Sequence, residues 1–169
     1  ELREATAHAV AHARIGRGGQ VACAGGAGVE QALDEVKDMP VVDADTVLAN
    51  IESTRLLLID ARAADRFRGE NETLDPVGGH IPGALNRFFK LNLADDGRFK
   101  PADQMLTEWR ELIGECDAGS LVMQCGSGVT ACHNLFALAL AGYPLGALYA
   151  GSWSEWIADP GRPVATGDE

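Results

Sequence analysis

No C-x-x-C pair occurs among the four cysteines, Cys23, Cys116, Cys125 and Cys132, and no histidine stands at zinc-finger spacing from them. A structural zinc site is therefore not expected. Long apolar runs are lacking too. None approaches the ~20 residues of a membrane-spanning helix, and Glu1-Leu2-Arg3-Glu4 has neither the basic nor the apolar region of a signal peptide, so a cytoplasmic, reducing setting is the expectation. Basic residues are scarce: 14 Lys and Arg stand against 25 Asp and Glu, a formal net charge of −11. Nucleic acid or an anionic membrane would be repelled at long range, and any anionic substrate must meet a local cationic pocket.

The chain of 169 residues has 46% hydrophobic and 23% charged residues, which is a globular composition. Its length suits one α/β domain with a short extension. Residues 1–40 read as an N-terminal extension whose order the pattern leaves undecided: an alanine-rich stretch is followed by GRGGQVACAGGAG. No lysine completes a phosphate loop there. Over 41–169 short apolar runs, LLLID (56–60), SLVMQ (120–124) and ALYAG (147–151), alternate with helical stretches near 102–113 and 130–142. That alternation predicts an α/β fold with a central parallel sheet and helices on both faces. Ser152-Trp153-Ser154-Glu155 has capping-box spacing and predicts a last short helix, with Trp153 and Trp156 as core anchors.

The segment Leu121-Val122-Met123-Gln124-Cys125-Gly126-Ser127-Gly128-Val129-Thr130-Ala131 carries the chemistry. A buried strand ends at a cysteine, a glycine-rich loop follows, and a helix begins. The thiol thus falls at the carboxyl edge of the sheet, where ligands bind in open α/β folds. Backbone N–H groups of such a loop, with the helix dipole behind them, favour negative charge: a thiolate, or the persulfide it becomes on taking up sulfur. Ser127 and Thr130 can add hydroxyl donors. A buried cysteine that merely ends a core strand is the plainer alternative. Gly126-x-Gly128-x-x-Ala131 also matches a dinucleotide fingerprint, but ALYAG carries no acid at its end. A cysteine phosphatase would place an arginine after the loop, where Ala131 stands.

Four blocks, LLLIDARAADRFRG (56–69), GHIPGALN (79–86), CGSGVTAC (125–132) and YAGSWSEW (149–156), resemble the catalytic domain of the thiosulfate and 3-mercaptopyruvate sulfurtransferases. The resemblance runs from about Val41 to Glu169 and implies a rhodanese-like fold. It implies a sulfurtransferase in which Cys125 accepts sulfur and Gly126, Ser127, Gly128, Val129 and Thr130 cradle the persulfide. Arg66 would bind the anionic donor, and Asp60 would sit beside the loop. Taken by residue type alone, Arg66 is one of three neighbouring arginines, and Asp60 could as well close a strand and cap the next turn. His80 reads as a structural turn residue and Cys132 as a packed core thiol. The implied donor is a small anion, 3-mercaptopyruvate or thiosulfate, and the acceptor a thiol, cyanide or thioredoxin. No metal or organic cofactor is implied. The stretch 70–78 lacks the second donor-binding arginine common among mercaptopyruvate enzymes, and Arg87 is a candidate substitute. Relatives of this type are often tandem, which suggests a homodimer here. A catalytically silent binding module of the same fold is the alternative from another class.

Overall fold

The computed structural model describes residues 28–168. Helix α1 (Val29–Lys37) leads into β1 (Val41–Val42), α2 (Ala44–Ser53), β2 (Leu57–Asp60), α3 (Ala64–Phe67) and β3 (Leu85–Asn86). A 3-10 turn (Phe89–Asn92) and α4 (Ala102–Ile113) follow, then β4 (Leu121–Gln124), α5 (Val129–Leu140), β5 (Ala147–Tyr149) and α6 (Ser152–Trp156). The strands form one parallel sheet in the order β1-β5-β4-β2-β3. This is the α/β architecture that the alternating pattern predicts.

Alternation along the strands divides the core. Ile59, Leu121, Met123 and Leu148 pack on one face with α1, α4 and α5. Leu58, Val122, Ala147 and Tyr149 pack on the other with α2, α3, Phe67, Ile81 and the two tryptophans of α6. Helix α3 after β2 and helix α5 after β4 lie on opposite faces. The chain therefore reverses its winding between these two neighbours, and a crevice opens outside their carboxyl ends. Asp60 and Gln124, the final residues of the two strands, are register partners.

Local chemistry accounts for the helix ends. Asp43 caps α2 through its Oδ1, which accepts from the Thr46 N–H at 2.8 Å. Trp153 and Trp156 are fully buried, their indole N–H groups donating to the carbonyls of Val77 and Pro163, as core anchors require. The capping box expected at 152–155 does not form. Gly151 holds the N-cap position, and the Glu155 N–H donates to its carbonyl. The Ser152 hydroxyl is engaged elsewhere: it accepts from the Cys125 N–H at 3.1 Å and donates to the Tyr149 carbonyl at 2.9 Å.

Of the stretch 1–40 expected as an extension, the structure describes residues from 28 onward. Residues 1–27 lie outside the described residues, but α1 belongs to the core: Ala32 and Val36 are buried against α5. The reason lies in α5, which is buried from Ala131 to Leu140. A helix apolar around its whole circumference needs cover on its outer side as well as on the sheet side, and α1 supplies part of it. Val36→Ala should accordingly lower unfolding stability by about 1–2.5 kcal/mol, the loss expected for a buried valine side chain. Denaturant melts read this as a shifted midpoint at unchanged slope; an unshifted midpoint would return α1 to the extension.

Candidate active site

β4 delivers Cys125 to the crevice at the sheet's carboxyl edge. The thiol is almost wholly buried and lies at the floor of a cleft of about 390 Å³. Arg66, Gly126, Ser127, Val129 and Thr130 line this cleft with Cys125, and Ala61, Arg62 and Ala63 after β2 together with Phe88, Phe89, Leu74, Asp75 and Ser154 complete the wall. Six of the eight residues singled out in the sequence thus meet in one cavity. Gly128 and Asp60 stand behind it. Gly128 has a φ of 83°, and a Cβ there would come within 2.6 Å of the Ala150 carbonyl oxygen, so only glycine lets the loop turn into α5 at this point. The first-turn N–H groups of α5 have no acceptor within their own helix, which makes this end of the cleft favourable to negative charge.

The loop is fixed from α6. The Trp153 N–H donates to the Cys125 carbonyl at 3.0 Å, and the Ser154 N–H and hydroxyl both reach the Gly126 carbonyl at 2.9 Å. Ser152 completes the clamp at a positive φ of 55°, a conformation costing about 1–2 kcal/mol for a residue with a Cβ. Its two hydrogen bonds to the Cys125 loop and to β5 offset that cost. Neither Ser152 nor Ser154 was singled out as a site residue, because helix-cap spacing was their visible signal.

Asp60 ends β2 at the carboxyl edge of the sheet. It caps the next turn, accepting the Arg62 N–H at 2.8 Å, and it grips the Arg62 guanidinium with both oxygens, Oδ2 accepting from Nη2 at 2.7 Å and from Nε at 3.0 Å and Oδ1 from Nε at 3.2 Å. Arg62 also donates to the Gly79 carbonyl at 2.7 Å and lies over the Trp153 ring, 4.6 Å from its centroid. From Arg62 the charges continue to Glu72 at 3.5 Å, from Glu72 to Arg66 at 2.9 Å and from Arg66 to Asp75 at 3.2 Å. Burial alone would raise the Glu72 carboxyl, but hydrogen bonds from Arg66 and from the Leu74 and Asp75 N–H groups outweigh it and hold it below the usual range. Arg66 reaches over the loop, such that a side chain at Gly126 would stand 3.8 Å from its Nη2.

Arg87, the candidate substitute for a second donor-binding arginine, does not line the cleft. It is buried on the Trp109 ring at 4.5 Å, with Nη2 on Glu108 at 2.9 Å and Nε on Asn92 at 3.3 Å. Asn92 in turn bonds Asn134 at 2.7 Å and reaches His133 Nδ1 at 3.5 Å. His133 packs on Phe89 and Phe99, so this polar layer backs the cleft without opening into it. Cys116 lies in a second cavity of about 370 Å³ near the starts of β2 and β4. Burial pushes its thiol up, with the Asp117 carboxylate adding to the effect. Cys132 is buried in the core, as the spacing predicts. Among the described residues no cluster of three His, Cys, Asp or Glu side chains could hold a metal ion, and no helix is long and apolar enough to cross a membrane.

A parallel α/β sheet with a cysteine and glycine loop at its switch point places a thiol where open α/β folds bind their ligands. The chain belongs to the rhodanese-like domain family, whose model matches residues 43–159. A Pseudomonas aeruginosa protein described as "Probable 3-mercaptopyruvate sulfurtransferase" is 59% identical over 128 residues, covering 76% of this chain and 45% of that protein. The thiosulfate sulfurtransferase of Rattus norvegicus is 38% identical over 128 residues, covering 73% and 43%. The chain spans less than half the length of these curated relatives. Among solved structures, the Saccharomyces cerevisiae Tum1 protein is similar with a TM-score of 0.66 at 26% identity, covering 79% of this chain and 48% of that one.

Two predictions follow from the polar layers. Asp60→Asn removes one member of a buried pair and leaves the Arg62 charge with a single longer partner; the loss should be about 3–5 kcal/mol in denaturant melts, and a loss under about 1 kcal/mol would show the fork to be dispensable. Burial lowers the His133 pKa from 6.5 to about 4. A site that binds protons less well when folded holds its stability above the unfolded value and loses it as pH falls toward the folded one. Between pH 6.5 and about 4 the chain should lose up to about 3 kcal/mol through His133, at ~1.4 kcal/mol per tenfold change in proton affinity. His133→Gln should flatten that part of the stability profile, and an unchanged acid slope would refute the assignment.

Proposed function

We propose that this chain is a sulfurtransferase domain that moves sulfur from 3-mercaptopyruvate or thiosulfate to a thiol or cyanide through a persulfide on Cys125. The observation that carries this reading is the position of the Cys125 thiol, at the floor of a cleft between the first turn of α5 and the Arg66 guanidinium. The names of the relatives, which include both sulfurtransferase types, agree with it.

In the first step the Cys125 thiolate attacks the transferable sulfur. With thiosulfate the S–S bond breaks and sulfite leaves with the electron pair. With 3-mercaptopyruvate the C–S bond breaks, and the thiol proton ends on the methyl group of the departing pyruvate. Either way Cys125 holds a persulfide, and the negative charge on its outer sulfur lies against the first-turn N–H groups of α5 and the hydroxyls of Ser127 and Thr130. In the second step an acceptor thiol, on a small molecule or a thioredoxin, or cyanide attacks the outer sulfur, and the Cys125 thiolate is released. Neither step calls on a metal or an organic cofactor. Arg66 binds the anionic group of the donor. Asp60 acts at a distance, holding Arg62, which helps to seat Glu72 beneath Arg66. The catalytic unit is the described core from α1 to Asp168, in a cytoplasmic setting.

Treatment with either donor should add one sulfur to the intact protein, located at Cys125 by mass spectrometry of its peptides. Cys125→Ser should abolish transfer to cyanide, whereas Cys116→Ser and Cys132→Ser should retain most of it. Sulfur on another cysteine, or activity surviving in Cys125→Ser, would remove the assignment. A chain that takes no sulfur from either donor would be the silent binding module.

A further inference from the structure

We infer that Asp75 is a carboxylate latch on the cleft: it occupies Arg66 where a donor's anionic group would sit, must swing away for an anion to bind, and thereby favours singly over doubly charged donors. The identity of the anion rests on the sulfur-transfer reading; the latch rests on geometry.

The two carboxylates on Arg66 are held unequally. Glu72 meets Nε with both oxygens at 2.9 and 3.1 Å, and its Oε1 also accepts the N–H groups of Leu74 and Asp75. Its side chain is only 4% exposed. Asp75 meets Nη2 through one oxygen at 3.2 Å and is 12% exposed, on a loop whose preceding residue, Leu74, is 78% exposed. Its other oxygen accepts from the Ser154 hydroxyl at 2.8 Å, and that hydroxyl already has a second acceptor in the Gly126 carbonyl at 2.9 Å. Departure of Asp75 therefore strands no donor group: Arg66 Nη2 keeps Glu72 Oε1 at 2.9 Å, and the hydrogen that Asp75 releases would be taken by the incoming anion. Glu72 cannot leave so cheaply, since two backbone N–H groups would lose their acceptor.

Charge decides the consequence. Asp60, Glu72 and Asp75 face Arg62 and Arg66 in one connected network, so its formal charge is −1. Arg62 borders the cleft, but its side chain is only 1% exposed and is gripped by Asp60, whereas that of Arg66 is 19% exposed. An anion that displaces Asp75 takes over its contact while the released carboxylate stays nearby on the same loop. Repulsion from that carboxylate scales with the ligand's charge, so a dianion such as thiosulfate is opposed about twice as strongly as a monoanion such as 3-mercaptopyruvate.

Calorimetric titration tests this in the full chain carrying Cys125→Ser, which binds donor without consuming it. Adding Asp75→Asn should tighten thiosulfate about tenfold and 3-mercaptopyruvate about threefold at low salt, the scale of a partly exposed charge-assisted contact. A further Arg66→Ala should erase both gains, which a purely structural role for Asp75 would not do. Asp75→Ser repeats the test should the amide variant fold poorly, as judged by circular dichroism. Unchanged or weaker binding, or equal tightening of the two donors, overturns the latch. Persulfide formation in the unaltered chain is read separately: its failure would remove the sulfur-transfer reading, while the anion affinities would still decide the role of Asp75.

Discussion

The buried grip of Asp60 on Arg62 is the contact from which the cleft is built. A carboxylate and a guanidinium sealed from water gain from each other only if their remaining hydrogen-bonding capacity is met. Here it is met by the Arg62 N–H, the Gly79 carbonyl, Glu72 and the face of Trp153. One arginine therefore ties the end of β2 to the loop before His80, to the acidic stretch at 72 and to the first turn of α6. Of these, α6 bonds the Cys125 loop directly, and Glu72 reaches it through Arg66. The planar fork suits this work, because its donors point in fixed directions, whereas an ammonium would supply a charge without the geometry.

From that anchor the site is assembled by alternating charges and then by backbone clamps. Glu72 and Asp75 hold Arg66 over Gly126, Ser154 links Asp75 to the Gly126 carbonyl, and Ser152 takes the Cys125 N–H. The strained backbone at Ser152 lies inside this assembly, in keeping with strain being tolerated where surrounding contacts over-determine it. On the opposite face α5 carries the other half of the site, the first turn behind the loop, and is locked by burial on all sides. The Cys125 loop thus rests on two rigid supports, one polar and one apolar.

The net charge of −11 and the charge of the cleft are separate matters. The overall excess of acid excludes polyanions at long range, but the cleft itself is close to neutral, because its arginines are answered by acids from the same loop. Selectivity among small anions then follows from which carboxylate yields, a local question that a sum over the chain does not address.

The period of the apolar residues sufficed for the class of fold: LLLID, SLVMQ and ALYAG are too short and too apolar for anything but buried strands, and the stretches between them repeat as helices. The cysteine loop was legible for the same reason, since a strand, two glycines and a helix in succession dictate where Cys125 lies and what its N–H groups face. What the linear pattern could not reveal were pairings across distance. Asp75 and Ser154 are 79 residues apart, so nothing local marks Asp75 as part of the cleft, and Arg87 resembled a donor-binding cation until Trp109 and Glu108 claimed it. Ser152 carried the signature of a helix cap, yet the nearer need of the Cys125 N–H won its hydroxyl. Helix α1 fell within the stretch 1–40, read as an extension from the alanine-rich and Gly/Ala-rich residues that precede it, and the bare outer side of α5 explains why it packs. Sequence by itself determined the elements and the place of Cys125 at the sheet edge, which depend on neighbours along the chain; tertiary structure decided which charges face which, because that depends on neighbours in space.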